Sequence, residues 1–333
     1  MAGTCCINGK SLWCAPGSSA RDRNLRGRKY NMQSGAKVFT VVLNWNGSGD
    51  TIECVESLKK VTCPNHNILI VDNGSTDGSE GILRNRFPEI TLIQTGRNLG
   101  YAGGNNAGIM EALKRGADYI ILLNNDTVVD PGFAGELVTA AQADKRNGIL
   151  CSKVYFYDRP DVIWYAGASF YTWLGWGRHR GFNQRDSGQF DTLEETERPC
   201  GCSMMVAREL CEKTGLLDDE YFCYSEDVDW GMRARKAGFR VMYVPASRVW
   251  HKVSQSTGGV STAGYLYYSV RNNLRCLNIN SPLPLVPRLF REAMVILTSL
   301  LSLFTMNIPK ATGIKRIFMG VRDYHKGRFG KKV

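Results

Sequence analysis

No two of the eleven cysteines in this 333-residue chain stand in a C-x-x-C pair, which removes the usual zinc site. Cys5, Cys6, Cys14, Cys54, Cys63, Cys151, Cys200, Cys202, Cys211, Cys223 and Cys276 read instead as free thiols of a reducing cytosol, most of them small buried residues. The first 31 residues hold no apolar core of signal-peptide length. The apolar stretch from Ala293 to Phe304 is about a dozen residues, short of the roughly twenty needed to cross a bilayer. No nucleic-acid recognition motif is present, so nucleic acid is not expected as a partner despite the basic balance.

That balance sits at the two ends. The formal charge is +11; residues 1–37 carry seven Lys/Arg against one Asp and residues 285–333 ten against two, leaving about −3 for residues 38–284. An apolar content of 43% is ordinary for a globular chain with a sizeable core.

What is present is a repeated punctuation. Val38 to Leu43 runs into Asn44-Trp45-Asn46-Gly47, Ile68 to Val71 into Asp72-Asn73-Gly74-Ser75-Thr76-Asp77, and Ile120 to Leu123 into Asn124-Asn125-Asp126. Each apolar run reads as a buried strand, and helical patterns follow over Thr51 to Lys60, Gly78 to Phe87 and Phe133 to Asp144. The alternation predicts an α/β fold with a mostly parallel central sheet flanked by helices. Ligands of such sheets lie outside the carboxyl ends of the strands, where Asp126 would stand.

Asn98 to Gly108 lies between the apolar run Ile90 to Ile93 and a helical pattern over Ile109 to Lys114. Its small residues would let a helix start approach a ligand closely. Asp72 and Asp77 suit turn and cap positions equally well. Glu226-Asp227-Val228-Asp229 precedes a helical pattern over Trp230 to Ala237 and brings together acids that repel unless something binds them, although acids at a helix start are also stabilised by its dipole.

Taken in order, Asn44-Trp45-Asn46, Asp72 to Asp77, Asn98 to Gly108, Asn124-Asn125-Asp126 and Glu226 to Trp230 resemble the inverting glycosyltransferases of family 2, and within them the rhamnosyltransferase-like branch, over about residues 37–275. The resemblance implies a GT-A nucleotide-sugar-binding fold for residues 37–280, after a disordered or non-native extension over 1–36, with Met32 as an alternative start. It implies transfer of one sugar, L-rhamnose from dTDP-rhamnose, to a lipid-linked or polysaccharide acceptor, with UDP-sugars as alternative donors. Asp227, or its neighbour Glu226, is then the base that deprotonates the acceptor. Asp72 reads the nucleotide base, and Asp126 and His251 hold Mg²⁺ or Mn²⁺, His251 being as readily structural. Asn44, Asn46, Asn73, Ser75, Asp77, Asn98, Gly100, Gly104, Asn105 and Asn125 line the donor site. Arg271 faces the donor phosphates or is a solvated helix residue on the pattern Tyr265 to Leu274.

Gly201-Cys-Ser-Met-Met205 is either an acceptor-pocket turn or a core strand. The Q-x-x-R-W string of processive relatives does not occur, which favours single-sugar addition. A sugar nucleotidyltransferase would need a basic phosphate loop after the first strand, and Asn44 to Gly47 supplies no base. The third reading is a non-catalytic nucleotide-sugar-binding protein. Residues 281–333 read as a basic, amphipathic helical segment, either interfacial at the cytoplasmic face of the inner membrane or packed on the catalytic domain.

Overall fold

A computed structural model describes residues 5–7, 10–12, 35–253 and 263–332. The chain divides into two units at residues 34 and 35. In the first, β1 (Cys5–Ile7) pairs antiparallel with β2 (Lys10–Leu12). The sequence between them is Asn8-Gly9, the dipeptide that most favours two-residue hairpins. A strand pair therefore stands within the segment expected to be disordered. The rest of that segment up to residue 34, Met32 included, lies outside the described residues.

The second unit is built on β3 (Val38–Asn44), β4 (His66–Asp72), β5 (Thr91–Gln94) and β6 (Tyr119–Asn124). These are parallel strands in the order β5-β4-β3-β6. The central pair, β3 and β6, is rich in Val, Ile and Leu and largely buried, as strands covered on both faces must be. The covering helices are α1 (Ser48–Leu58), α2 (Ser79–Arg86) and α3 (Gly100–Lys114). Val55 of α1 and Leu83 of α2 pack with Ile70 and Phe87.

After β7 (Thr127–Val129) and α4 (Phe133–Ala143), β8 (Asn147–Phe156) extends the sheet, with β9 (Ile163–Tyr165) paired to it. A hairpin of β10 (Ala168–Tyr171) and β11 (Trp176–His179) stands apart, and β12 (Glu194–Glu195) pairs antiparallel with a later strand. β13 (Ser203–Ala207) inserts antiparallel between β6 and β8. After α5 (Arg208–Thr214) and α6 (Glu226–Lys236), β14 (Arg240–His251) runs parallel to β8 and ends beside β7. The sheet is thus mostly parallel, as the sequence predicts.

Helix α3 begins at Gly100, so most of the glycine-rich segment expected to precede a helix at Ile109 is helix. The reason is contact with the sheet. A Cβ at Gly104 would lie 2.5 Å from Leu43 Cδ1, and one at Gly108 would lie 2.3 Å from Val41 Cγ1. The small residues let α3 lie close on β3.

Three final helices, α7 (Ala263–Asn280), α8 (Leu285–Ser302) and α9 (Lys310–His325), share a core of Leu266, Val270, Leu274, Leu277, Val295, Leu303, Ile308 and Ile317. Among the described residues no helix is long and apolar enough to cross a membrane.

Candidate active site

The chain order of β3 to β6 reverses direction in the sheet between β3 and β6, and a crevice opens at such a switch point. Asn44, Asp72 and Asn124 end β3, β4 and β6 on that edge. The turn before β13 and the last residue of β14, His251, reach the same edge because of the strand directions.

Asp72 organises the first half. It is fully buried. Its Oδ1 accepts from Asn44 Nδ2 at 2.6 Å and Ser75 Oγ at 2.6 Å, and its Oδ2 accepts from Ser75 N at 3.0 Å and Gln94 Nε2 at 2.8 Å. Four protein donors fill the carboxylate expected to read a base, so its visible work is to tie the ends of β3, β4 and β5 together. Asn44 accepts from Thr51 Oγ1 at 2.7 Å. Asn46 takes φ 51° and its side chain accepts from Thr76 N at 2.8 Å. Asn73 Oδ1 accepts from Leu99 N at 2.9 Å, and its Nδ2 donates to Asn98 Oδ1 and Gly100 O. Exposed Trp45 lies between Asn44 and Asn46.

Several other expected donor residues are structural. Asp77 accepts from Ser79 N at 3.0 Å at the start of α2, and the Ser79 hydrogen bonds hold its carboxyl below the usual range. Asn105 is buried and donates to Tyr101 O within α3. Gly100 has φ 76°, and a Cβ there would lie 2.3 Å from Phe222 O. Gly104 faces Leu43 and Asn73, so both glycines serve protein packing rather than ligand approach. Asn125 Nδ2 donates to Thr51 Oγ1 at 3.0 Å and is buried.

Arg271 is the clearest correction. It is buried, donating from Nη1 to Gly330 O at 2.9 Å and from Nη2 to Tyr221 O at 3.1 Å, with Nε on Asn272 Oδ1. Its guanidinium clasps the end of α9 to the loop before α6 and is neither a donor-phosphate ligand nor a solvated residue.

Asp126 and His251 do meet. His251 Nε2 lies 3.2 Å from Asp126 Oδ1, both side chains are buried, and the Lys252 amide donates to Asp126 O at 2.9 Å. Lys252 Nζ fixes this junction to α1 through Asp50 and Glu53, each at 2.6 Å. No group of three or more His, Cys, Asp or Glu side chains able to hold a metal occurs among the described residues. Asp126 and His251 set a hard carboxylate oxygen beside an imidazole nitrogen, a donor pair that suits a divalent ion when its remaining ligands are phosphate and water.

The acids at the start of α6 have separate fates. Asp229 accepts from Asn280 Nδ2 at 2.6 Å and from Arg233 Nε at 2.7 Å, which makes it a packing residue. Glu226 is buried, and its Oε2 has no hydrogen-bond partner among the described residues. Burial, with the neighbouring Asp227 charge, pushes its carboxyl up to about 8. Asp227 Oδ2 accepts from Gly201 N at 3.2 Å and lies 3.9 Å from Arg198 Nη2.

Gly201 links the two halves. Its amide faces Asp227, its carbonyl accepts from Tyr101 OH, and the next carbonyl, Cys202 O, accepts from Asn124 N at 2.9 Å. Gly201 and Cys202 form a turn, and Ser203 to Met205 lie in the buried strand β13, as the core-strand alternative expects. Tyr101 and Arg198 were not singled out from the sequence. Arg198 stands in no periodic pattern, and only its place before Pro199-Cys-Gly201 marks it.

The site thus joins a carboxylate–imidazole pair at the sheet's switch point, through Asn124 and the Gly201–Cys202 turn, to a second acid at the start of α6. The model of glycosyl transferase family 2 matches residues 40–215, and the chain belongs to that family. The chain is 31% identical over 210 residues to the N-acetylglucosaminyl-diphospho-decaprenol L-rhamnosyltransferase of Mycobacterium tuberculosis, covering 57% of this chain and 68% of the relative. It is 23% identical to the dTDP-rhamnosyl transferase RfbF of Shigella flexneri, covering 74% and 81%. The mannosyltransferase PcManGT of Pyrobaculum calidifontis, solved with GDP-Man and Mn²⁺, superposes with a TM-score of 0.57 over 92% of this chain and 93% of that one, at 12% identity. The fold is GT-A, and the chain is a glycosyltransferase of the rhamnosyltransferase-like branch.

Proposed function

We propose that this enzyme transfers one L-rhamnose from dTDP-rhamnose, with inversion, to a hydroxyl of a lipid-linked acceptor in cell-surface glycan synthesis, at the cytoplasmic face of a membrane. The observation that carries the reading is the pairing of two functions across one turn. Asp227 faces Gly201 N on one side, and the chain from Cys202 O through Asn124 leads to Asp126 and His251 on the other.

Asp227 Oδ2 takes the proton of the acceptor hydroxyl as its oxygen attacks the anomeric carbon. The bond to the nucleoside diphosphate breaks on the opposite face, which inverts the configuration. Asp126 and His251 would hold Mg²⁺ or Mn²⁺, which when bound neutralises the charge of the leaving diphosphate. Arg198 Nη2, 3.9 Å from Asp227 Oδ2, places a positive charge beside the base. Trp45 offers an exposed ring at the donor edge, while Asp72, Asn44, Ser75 and Asn73 set the shape of the turns beneath it. Family membership removes the nucleotidyltransferase reading.

The test is transfer itself. Labelled rhamnose from dTDP-rhamnose is expected to enter a polyprenyl-diphosphate-linked sugar in the presence of Mn²⁺ or Mg²⁺, with opposite anomeric configuration. Transfer only from UDP- or GDP-sugars, or only to water, contradicts it.

A further inference from the structure

Helix α8 is built with its polarity reversed. Two of its three ionic residues, Arg291 and Glu292, are buried with Val295 against the rest of the protein, and the third, Arg288, is partly exposed. Arg291 donates to Ser281 O at 2.7 Å and Leu277 O at 3.2 Å, and Glu292 lies 3.4 Å from His325 Nε2. The solvent side carries Leu285, Val286, Leu289, Phe290, Leu297 and Leu301, followed by Phe304, with Val286 75% and Phe304 81% exposed. Spacings of four and seven residues, as from Val286 to Phe290, Leu297 and Leu301, place them on one stripe. A stripe of this size left to water marks an interaction surface.

A second element continues it. The β10–β11 hairpin exposes Tyr171 and Trp176, stacked at 5.9 Å, and Trp173 at its tip, whose ring lies 6.4 Å from that of Phe290. Thr298 Oγ1 of α8 donates to Leu174 O at 3.3 Å, so hairpin and helix are fixed to each other. The segment that carries α8 is basic. Residues 285–333 carry ten Lys/Arg and two acids, and both acids, Glu292 and Asp323, are buried.

Long apolar side chains beside Trp and Tyr, carried in part by a basic segment, match the interfacial layer of an anionic bilayer. We infer that the outer face of α8 and the tip of the β10–β11 hairpin form one surface that inserts into an anionic lipid leaflet. The inference rests on the membrane-borne acceptor proposed above and says which face meets it. The hairpin is also tied to the catalytic acids. Gly175 O accepts from Asn273 Nδ2 at 2.8 Å, and Asn273 Oδ1 accepts from Ser225 Oγ at 2.9 Å, next to Glu226 and Asp227. The inserted tip therefore sits two hydrogen bonds from the loop that presents the base, which brings a lipid-anchored acceptor to Asp227 from the membrane side.

The experiment is co-flotation of the full chain with vesicles of phosphatidylcholine alone and of a two-to-one mixture with phosphatidylglycerol, with tryptophan quenching by brominated lipid. Binding to the mixed vesicles with quenching is expected. Phe290→Asp and Trp173→Ser should each weaken it tenfold or more, Trp173→Ser also reducing the quenching to the share of Trp176, while dTDP-induced thermal stabilisation stays unchanged. Absence of vesicle binding by the wild-type chain, binding indifferent to both substitutions, or a stable dimer that shields Trp173 from quencher overturns the inference. Loss of dTDP stabilisation in the wild-type chain with vesicle binding intact would count against the donor reading instead.

Discussion

Asp227 and Glu226 adjoin in sequence yet face different surroundings, and the difference assigns their work. Asp227 meets an amide and a guanidinium, whereas Glu226 is buried with one oxygen unpartnered among the described residues. Asp227→Asn should lower the transfer rate by about 10²–10⁴, the usual share of general base catalysis, with dTDP binding retained in thermal-shift titration; equal loss of both would remove its role as base. For Glu226, a carboxyl raised from 4.5 to about 8 binds more protons folded than unfolded between those values. The native state therefore loses stability as pH rises through that window. Glu226→Gln should melt with the wild type near its low-pH end and exceed it by up to a few kcal/mol above pH 8, read from paired unfolding curves. A constant gap across pH would refute the burial argument. The acids were legible as a cluster, because three carboxylates in four residues are conspicuous. Their division of labour was not, because beyond the helical neighbour Arg233 it depends on Asn280, distant in the chain, and on Arg198, outside any pattern.

The elements explain why some expected ligands became packing residues. Strands β3, β4 and β6 were legible from their apolar runs and polar ends, and α1, α2 and α4 fall within a few residues of the expected spans. Helix α3 was read too short because glycine argues against helix in isolation, while contact with Val41 and Leu43 favours it here. Gly108→Val should destabilise the fold by roughly 1–3 kcal/mol through overpacking, lowering the melting temperature without changing the KM for donor. Arg271 misled in the opposite way. An arginine on a helix suggests a phosphate ligand or a solvated charge, but its carbonyl partners come from residues 221 and 330, whose approach is tertiary. Arg271→Leu should cost at least ~3 kcal/mol by leaving buried carbonyls unpaired, and kcat at low temperature should be retained; preserved stability with a raised donor KM would restore it to the donor site.

Across the whole molecule, charge and polarity divide the labour. A nearly neutral catalytic unit carries the switch-point site, and a basic helical end turns its apolar side outward. Asp126 at the end of a strand run and His251 at the end of another are 125 positions apart in sequence yet 3.2 Å apart in space. That meeting is the centre of the functional reading, and it is tested most directly by thermal unfolding of the wild-type chain and Asp126→Asn with dTDP, UDP and GDP, with and without Mn²⁺. A ligand at a hundredfold over its Kd adds about 2.7 kcal/mol to stability. The expected result is stabilisation by dTDP that exceeds that of UDP and GDP, requires Mn²⁺ and disappears in Asp126→Asn. Equal stabilisation by dTDP without metal, or in Asp126→Asn, would contradict a metal-held donor at this site.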